Sequence, residues 1–331
     1  MNGRSIPARL LGRLAPGITL LVAVVLFKVL APGSPFAWQD VRLILAQTVA
    51  VGLVGIGMTL VIVSGGIDLS VASVVALASV AAARVTEHIQ PGTIGAMQPY
   101  LAIAAAVAVG ALCGLYSGAL IVLLRLPPFI VTLGMLGFYR GLAKWAASNS
   151  QVIGHTGWVY DWVVGVPPPG LRWAVVAPSV WMMLLMAAAM AALMHYTVLG
   201  RRAVAIGSNE EAARRAAVPI GRIKIAVYTL SGALVGLAGA WYFARLGGSG
   251  DPTCAPGLEL NAIAAVVIGG ASLSGGSASV VGTLCGAILM SLLENRGVAL
   301  GWPNYAQELV VGNIIILAVA FDRWRAARMA R

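Results

Sequence analysis

The chain has 331 residues, 60% of them apolar or aromatic and only 10% charged, and its 22 Lys+Arg against 11 Asp+Glu give a net charge of +11. Soluble domains carry roughly 25% charged residues, and a mean hydropathy of +0.91 leaves too little polar surface to cover a water-soluble globule. The nucleic-acid binder that the charge alone would suggest is thereby excluded, and the question becomes where in a membrane protein the positive charge sits.

A bilayer core takes about 20 apolar helical residues, with a range of roughly 17–25. The first such stretch, 14–31, lacks a small-residue cleavage site and reads as an uncleaved span. Further spans follow near 43–64, 69–85, 99–124, 128–147, 173–198, 225–246, 259–273, 278–293 and 305–322. The third, eighth and ninth are short, as broken or half-inserted helices are. The fold class is all-α, a polytopic membrane protein of about ten transmembrane helices. The apolar runs are continuous rather than alternating, which excludes a β-barrel. Gly232, Gly236 and Gly239 fall at helical spacing and form a face that lets a neighbouring backbone approach closely.

Lys/Arg asymmetry orients the chain. Arg4, Arg9 and Arg13 precede the first span. Arg201, Arg202, Arg214, Arg215, Arg222 and Lys224 crowd the loop 199–224, and Arg323, Arg325, Arg328 and Arg331 follow the last span. With ten spans all three groups fall on one side, with Arg125, and that side is cytoplasmic. The organisation is a cytoplasmic tail over 1–13, a transmembrane domain over 14–322 containing the loop 199–224, and a basic tail over 323–331. No glycine loop followed by Lys-Ser/Thr is present to bind ATP. Cys113, Cys254 and Cys285 are an odd, scattered set, and His88, His155 and His195 lie apart near span ends. Neither a disulfide framework, a metal site nor a proton relay is indicated.

The most informative polar segment is 207–219, Gly-Ser-Asn-Glu-Glu-Ala-Ala-Arg-Arg-Ala-Ala-Val-Pro. Ser208 with Glu211 three residues later reads as a capping box, Glu210 and Glu211 suit the positive end of a helix dipole, and Pro219 is a stop. The expectation is a helix of two to three turns that is too short to stand alone in water. It either lies on the lipid headgroups or docks on a partner.

The segment resembles the coupling segment of ABC-type importer permeases, with its Glu-Ala-Ala core. Gly65-Gly66-Ile67-Asp68-Leu69-Ser70 resembles a motif of the ribose/arabinose/xylose-type sugar permeases. So do Pro128-Phe129-Ile130-Val131-Thr132-Leu133-Gly134 with Arg140-Gly141-Leu142, Ser231-Gly232 to Ala238-Gly239, and Ile263 to Gly270 through Ser274-Gly275-Gly276. Five motifs in register cover roughly 40–322. The resemblance implies a permease subunit of a bacterial inner-membrane ABC importer for a monosaccharide-like solute, with no catalysis and no cofactor of its own. A separate ATP-binding subunit would use ATP and Mg2+ and grip Gly207, Ser208, Asn209, Glu210, Glu211, Ala212, Ala213 and Arg214. An extracytoplasmic binding protein would deliver the solute, and a second permease copy or homologue would complete the pathway. On that reading Glu210, Glu211 and Arg214 contact the ATP-binding subunit while Ala212 and Ala213 allow close approach. The family commonly has glycine where this chain has Ala217, a change expected to keep the helix and add a methyl, with a difference in shape at its end left open.

Asp68 is an acid among apolar residues, a functional hypothesis by default. It also suits a cap for the helix beginning near Leu69, after a break at Gly65-Gly66, and the two roles are compatible. Gly65-Gly66-x-x-Leu69-Ser70 recurs as Gly269-Gly270-x-x-Leu273-Ser274, with Ser272 in place of the acid. Thr132, Asn261, Glu308 and Asn313 are polar candidates for the solute pathway, or else interhelical hydrogen-bond partners. Arg140 and Lys144 share a face and either dock a binding protein or snorkel to the interface. Trp158, Trp162 and Trp173 read as interfacial anchors rather than sugar-stacking platforms. Other solutes (a nucleoside, a polyol, a branched-chain amino acid) remain open, as does an ion-coupled secondary transporter, for which only Asp68 and Glu308 are available as coupling acids.

Overall fold

The computed structural model describes residues 6–30, 37–88, 97–164, 167, 170 and 174–329. Helices α1 (Ile6–Leu30), α2 (Trp38–Val63), α3 (Val71–Glu87), α4 (Gln98–Leu124) and α5 (Pro128–Ala146) precede a short strand β1 (Val152–Ile153) and one turn of helix, α6 (Val159–Val163). Then come α7 (Pro178–Tyr196), α8 (Val198–Ser208), α9 (Glu210–Arg215) and α10 (Ile220–Arg245). Strand β2 (Ser249–Gly250), α11 (Leu258–Ile268), α12 (Val280–Ala299) and α13 (Asn304–Met329) complete the chain. A helix lies at each of the ten apolar stretches. By length and apolarity α2, α4, α7 and α10 are long enough to cross a bilayer, and Pro16–Val29, Leu258–Ile268 and Tyr305–Leu317 are shorter apolar helical segments.

The ends of these helices follow local chemistry. Pro128 and Pro178 open α5 and α7 at the first helical position, where a missing N–H costs nothing. The sixth span therefore begins at 178 rather than 173. The eighth ends at Ile268 rather than 273, because Gly270 takes the left-handed conformation at φ +89°. The expected tail over 1–13 is already helical from Ile6, and α13 continues through the basic tail to Met329.

Helix α2 is the centre of the bundle. Every residue from Thr48 to Val63 is buried, as an all-round apolar helix requires. Its two threonines there are satisfied: Thr48 donates to the Ile44 carbonyl at 2.8 Å, and Thr59 donates to the Gly55 carbonyl at 2.7 Å and shares a second bond with the Thr283 hydroxyl. The glycine face on α10 meets a matching one on α4. Gly232 and Gly236 pack backbone to backbone against Gly110, Gly114 and Ala106, while Gly239 faces Val75 and Ala78 of α3. Strands β1 and β2 pair antiparallel, Val152 opposite Gly250, and tie the segment after α5 to the one after α10.

Candidate functional site

Helix α9 is built in place by its own sequence. Its cap is Asn209, whose Oδ1 accepts the Ala212 N–H at 2.9 Å. The capping box expected at Ser208 does not form. Ser208 is the last residue of α8, and its hydroxyl donates back to the Val204 carbonyl at 2.8 Å. Because α8 runs on to Ser208, the chain turns one residue later, at Asn209, and α9 spans six residues rather than two to three turns. Pro219 is not its stop. The Ala217 N–H bonds the Arg214 carbonyl and the Val218 N–H the Ala213 carbonyl, the paired bonds of a Schellman ending, and Pro219 instead precedes α10.

That ending corrects the expectation for Ala217. The residue lies outside the helix in the left-handed conformation at φ +55°, where glycine is the usual occupant because a Cβ costs about 1–2 kcal/mol. Replacing Ala217 by Gly is expected to stabilise the protein by about 0.5–1 kcal/mol after glycine's extra chain entropy is counted. Thermal denaturation in detergent reads this, and a lower melting temperature for A217G contradicts it.

Polar groups on α9 divide into two sets. Glu210 accepts from Lys224 at 2.8 Å and Arg214 at 3.2 Å, which clamps α9 onto the start of α10. Partial burial pushes its carboxyl up, but the Lys224 ammonium and the Arg214 guanidinium outweigh that and hold it below the usual range. As a depressed carboxylate it supports the clamp at neutral pH and releases it only at acid pH. Glu211 pairs with Arg215 at 3.2 Å in the open. Ala212 is exposed, whereas Ala213, only 5% exposed, packs into the chain's own core. The exposed side of α9 thus carries Ala212 and the Glu211–Arg215 pair, while Ala213 is turned inward and Glu210 is held by Lys224 and Arg214.

Behind α9, three backbone segments converge. The Gly276 N–H bonds the Val63 carbonyl at 2.9 Å. Gly207, next to last in α8, fits against both, such that a Cβ there would run into the Val63 carbonyl and stand 2.7 Å from the Gly276 nitrogen. The segment that leads into α9 thus touches both helix breaks, the one between α2 and α3 and the one between α11 and α12.

The two breaks share a design. Helix α2 ends with Gly65 at φ +82° and the Gly66 N–H on the Val61 carbonyl, and α11 ends with Gly270 at φ +89° and the Ala271 N–H on the Val266 carbonyl. Both are Schellman endings, so Gly65 corresponds to Gly270, one residue off the match read from the sequence; Gly66 and Gly269 occupy different steps. Each break then restarts its helix differently. Ser279 caps α12 by accepting the Gly282 N–H at 3.1 Å. Asp68, 5% exposed, does not cap α3 at its first turn. Its Oδ1 accepts from the Ser70 N–H at 2.9 Å and the Ser70 hydroxyl at 2.6 Å, fixing the residue from which α3 starts. The Thr132 hydroxyl of α5 lies 3.1 Å from the Ile67 carbonyl and 3.0 Å from the Pro128 carbonyl, so its one hydrogen is shared between the break and its own helix.

Other polar candidates separate cleanly. Asn261 and Glu308 line one cavity of about 500 Å³ between α11, α12 and α13. Asn313 donates to the Leu309 carbonyl at 2.8 Å on the exposed face of α13. Arg140 is occupied: its guanidinium donates to the carbonyls of Pro252 and Cys254 at 2.9 and 3.0 Å, fastening the segment after β2. Its Nη1 is thus engaged within the chain, whereas Lys144 is exposed. Trp158 packs on Tyr100 and Trp162, away from that cavity; Trp173 lies outside the described residues. Gln47, Arg245 and Glu294, which the sequence reading passed over, line an adjoining cavity. Two of them sit near helix ends, where charge looks like ordinary interface decoration. Among the described residues no group of three or more His, Cys, Asp or Glu is placed to hold a metal.

This architecture has matches among known proteins. Residues 41–319 match the family model for the permease component of branched-chain amino acid transport systems, and the chain belongs to that family of membrane permeases. It is 38% identical over 315 residues to the ribose import permease protein of Escherichia coli (strain K12), covering 92% of each chain. It is 35% identical to the ribose import permease protein of Bacillus subtilis (strain 168), covering 95% of this chain and 94% of that one. With the fructose import permease protein of Rhizobium meliloti the identity is 34%, covering 93% and 84%. No solved structure matches.

Proposed function

We propose that the chain is the membrane-spanning subunit of an ATP-driven importer for a neutral monosaccharide in a bacterial inner membrane. It crosses the bilayer ten times with both termini in the cytoplasm. The relatives that import ribose and fructose along nearly the whole chain support the solute class. The observation that carries the mechanism is the contact of Gly207 with both helix breaks. A separate ATP-binding subunit seats on Ala212 and Glu211, and its closure on ATP and Mg2+ displaces α9. The Glu210–Lys224 clamp makes α9 and α10 move together, and Gly207 passes the displacement to 64–70 and 271–279. An extracytoplasmic binding protein supplies the solute near Lys144, and a second copy of the chain covers the exposed α13 face with Glu308 and Asn313.

Replacing Ala212 by Arg tests this directly. Ala212 is exposed, so the variant is expected to fold and insert. A bulky charge at the centre of a docking surface is expected to weaken the ATP-binding subunit's hold by about tenfold or more. Co-purification and ATP-driven uptake in proteoliposomes read the effect, and coupled uptake at the wild-type rate sinks the assignment.

A further inference from the structure

The end of the bundle away from α9 holds a group of side chains that coupling does not use. Helix α10 runs from the coupling segment at Ile220 to Arg245, about 39 Å at 1.5 Å per residue. At that far end a cavity of about 120 Å³ is lined by Gln47, Trp241, Tyr242, Arg245, Asn261 and Glu294. Asn261 and Glu294 also line the 500 Å³ cavity beside α13, so the two spaces adjoin.

The residues are arranged as for a ligand. Arg245 and Glu294 are exposed and face the same space, yet neither takes part in the ion pairs among the described residues. A pair serving only the fold would close on itself. Arg245 instead stacks on Trp241, its Cζ 5.2 Å from the ring centroid, which holds the guanidinium flat and extended. Trp241 is 4% exposed and its indole N–H has no hydrogen-bond partner. Gln47 is steadied by Asn295, which donates to its Oε1 at 3.4 Å.

We propose that this cavity and the 500 Å³ space it adjoins form a solute subsite on the permease itself, one that takes a neutral polyhydroxylated ring. The inference rests on the import reading above. A carboxylate accepts from adjacent hydroxyls, a planar guanidinium donates to them, and carboxamides do both. One cation and one anion balance each other, so the site favours a ligand without net charge. Glu308 nearby turns away an anionic one. The subsite would receive the solute as the binding protein releases it, before the pathway opens toward α9.

The test is saturation-transfer NMR on the full-length chain in lipid nanodiscs, with D-ribose, L-arabinose and D-fructose as probes. At least one sugar is expected to receive saturation in the wild type. E294Q and R245Q, changed at exposed side chains, are expected to weaken binding by about tenfold each, the loss of one charged hydrogen-bonding partner, with thermal melting unchanged. Transfer to none of the three sugars in the wild type, or equal transfer in both variants, overturns the subsite. ATP-driven uptake of the same sugars by the wild type with its ATP-binding subunit and binding protein is measured separately. Uptake without binding removes the subsite alone; binding weakened in both variants but without uptake removes the import reading alone.

Discussion

Gly207→Val is expected to leave an inserted protein that hydrolyses ATP with its partner but no longer imports. The position has no room for a side chain, and the obstacles are the Val63 carbonyl and the Gly276 nitrogen, main-chain groups that cannot rotate aside. The two obstacles are also bonded to each other at 2.9 Å. Making space for valine separates α8 from α2 or breaks that bond. Overpacking costs about 1–3 kcal/mol, and a stranded buried pair adds about 1–3 kcal/mol. The larger consequence is mechanical, because displacement of α9 would no longer reach the breaks. Alanine at the same position should show a weaker form of the same defect. The measurement is the ratio of sugar imported to ATP hydrolysed in proteoliposomes, and a wild-type ratio in G207V refutes the proposed route.

A comparable loss is expected for Asp68→Ala, by a different cause. One carboxylate oxygen holds both the N–H and the hydroxyl of Ser70 in a buried place. Ser70 makes no side-chain cap of its own to α3. Without the acceptor, two buried donors go unpaired at about 1–3 kcal/mol each, and the start of α3 loses its anchor. Asp68→Asn keeps an acceptor at the same reach and is expected to recover much of the melting temperature. If D68A melts with the wild type, Asp68 has no part in fixing the break. If D68N melts normally yet fails to transport, the charge itself has a pathway role.

Much of the architecture was written locally. Runs such as 43–64 and 225–246 are helical wherever they are placed, and Pro128, Pro178 and Gly65 mark ends by their own stereochemistry. The segment 207–219 was legible as a short polar helix because Glu210 and Glu211 open it and Arg214 and Arg215 close it. Its frame was not, since Ser208 and Asn209 are both good caps. The choice between them depends on how far α8 extends, and α8 was hidden inside a segment that read as a charged loop. Asp68 was visible as a break residue, but its bond to Ser70 rather than to the first turn of α3 depends on backbone angles. Least legible was the outer polar group. Gln47, Arg245 and Glu294 come from three helices far apart in the chain, and only the packing of α2, α10 and α12 brings them to one space.

The closest contacts at Gly207 are between peptide groups, and that has a consequence for the compliance of the joint. Side-chain contacts absorb movement, since a rotamer can swing and leave its neighbour where it was. Where Gly207 meets Val63 and Gly276 there is no torsion of that kind to take up slack, so on the proposed route a small advance of α9 would reach both breaks together. On that route the timing of the stroke would depend on residue 207 carrying no side chain.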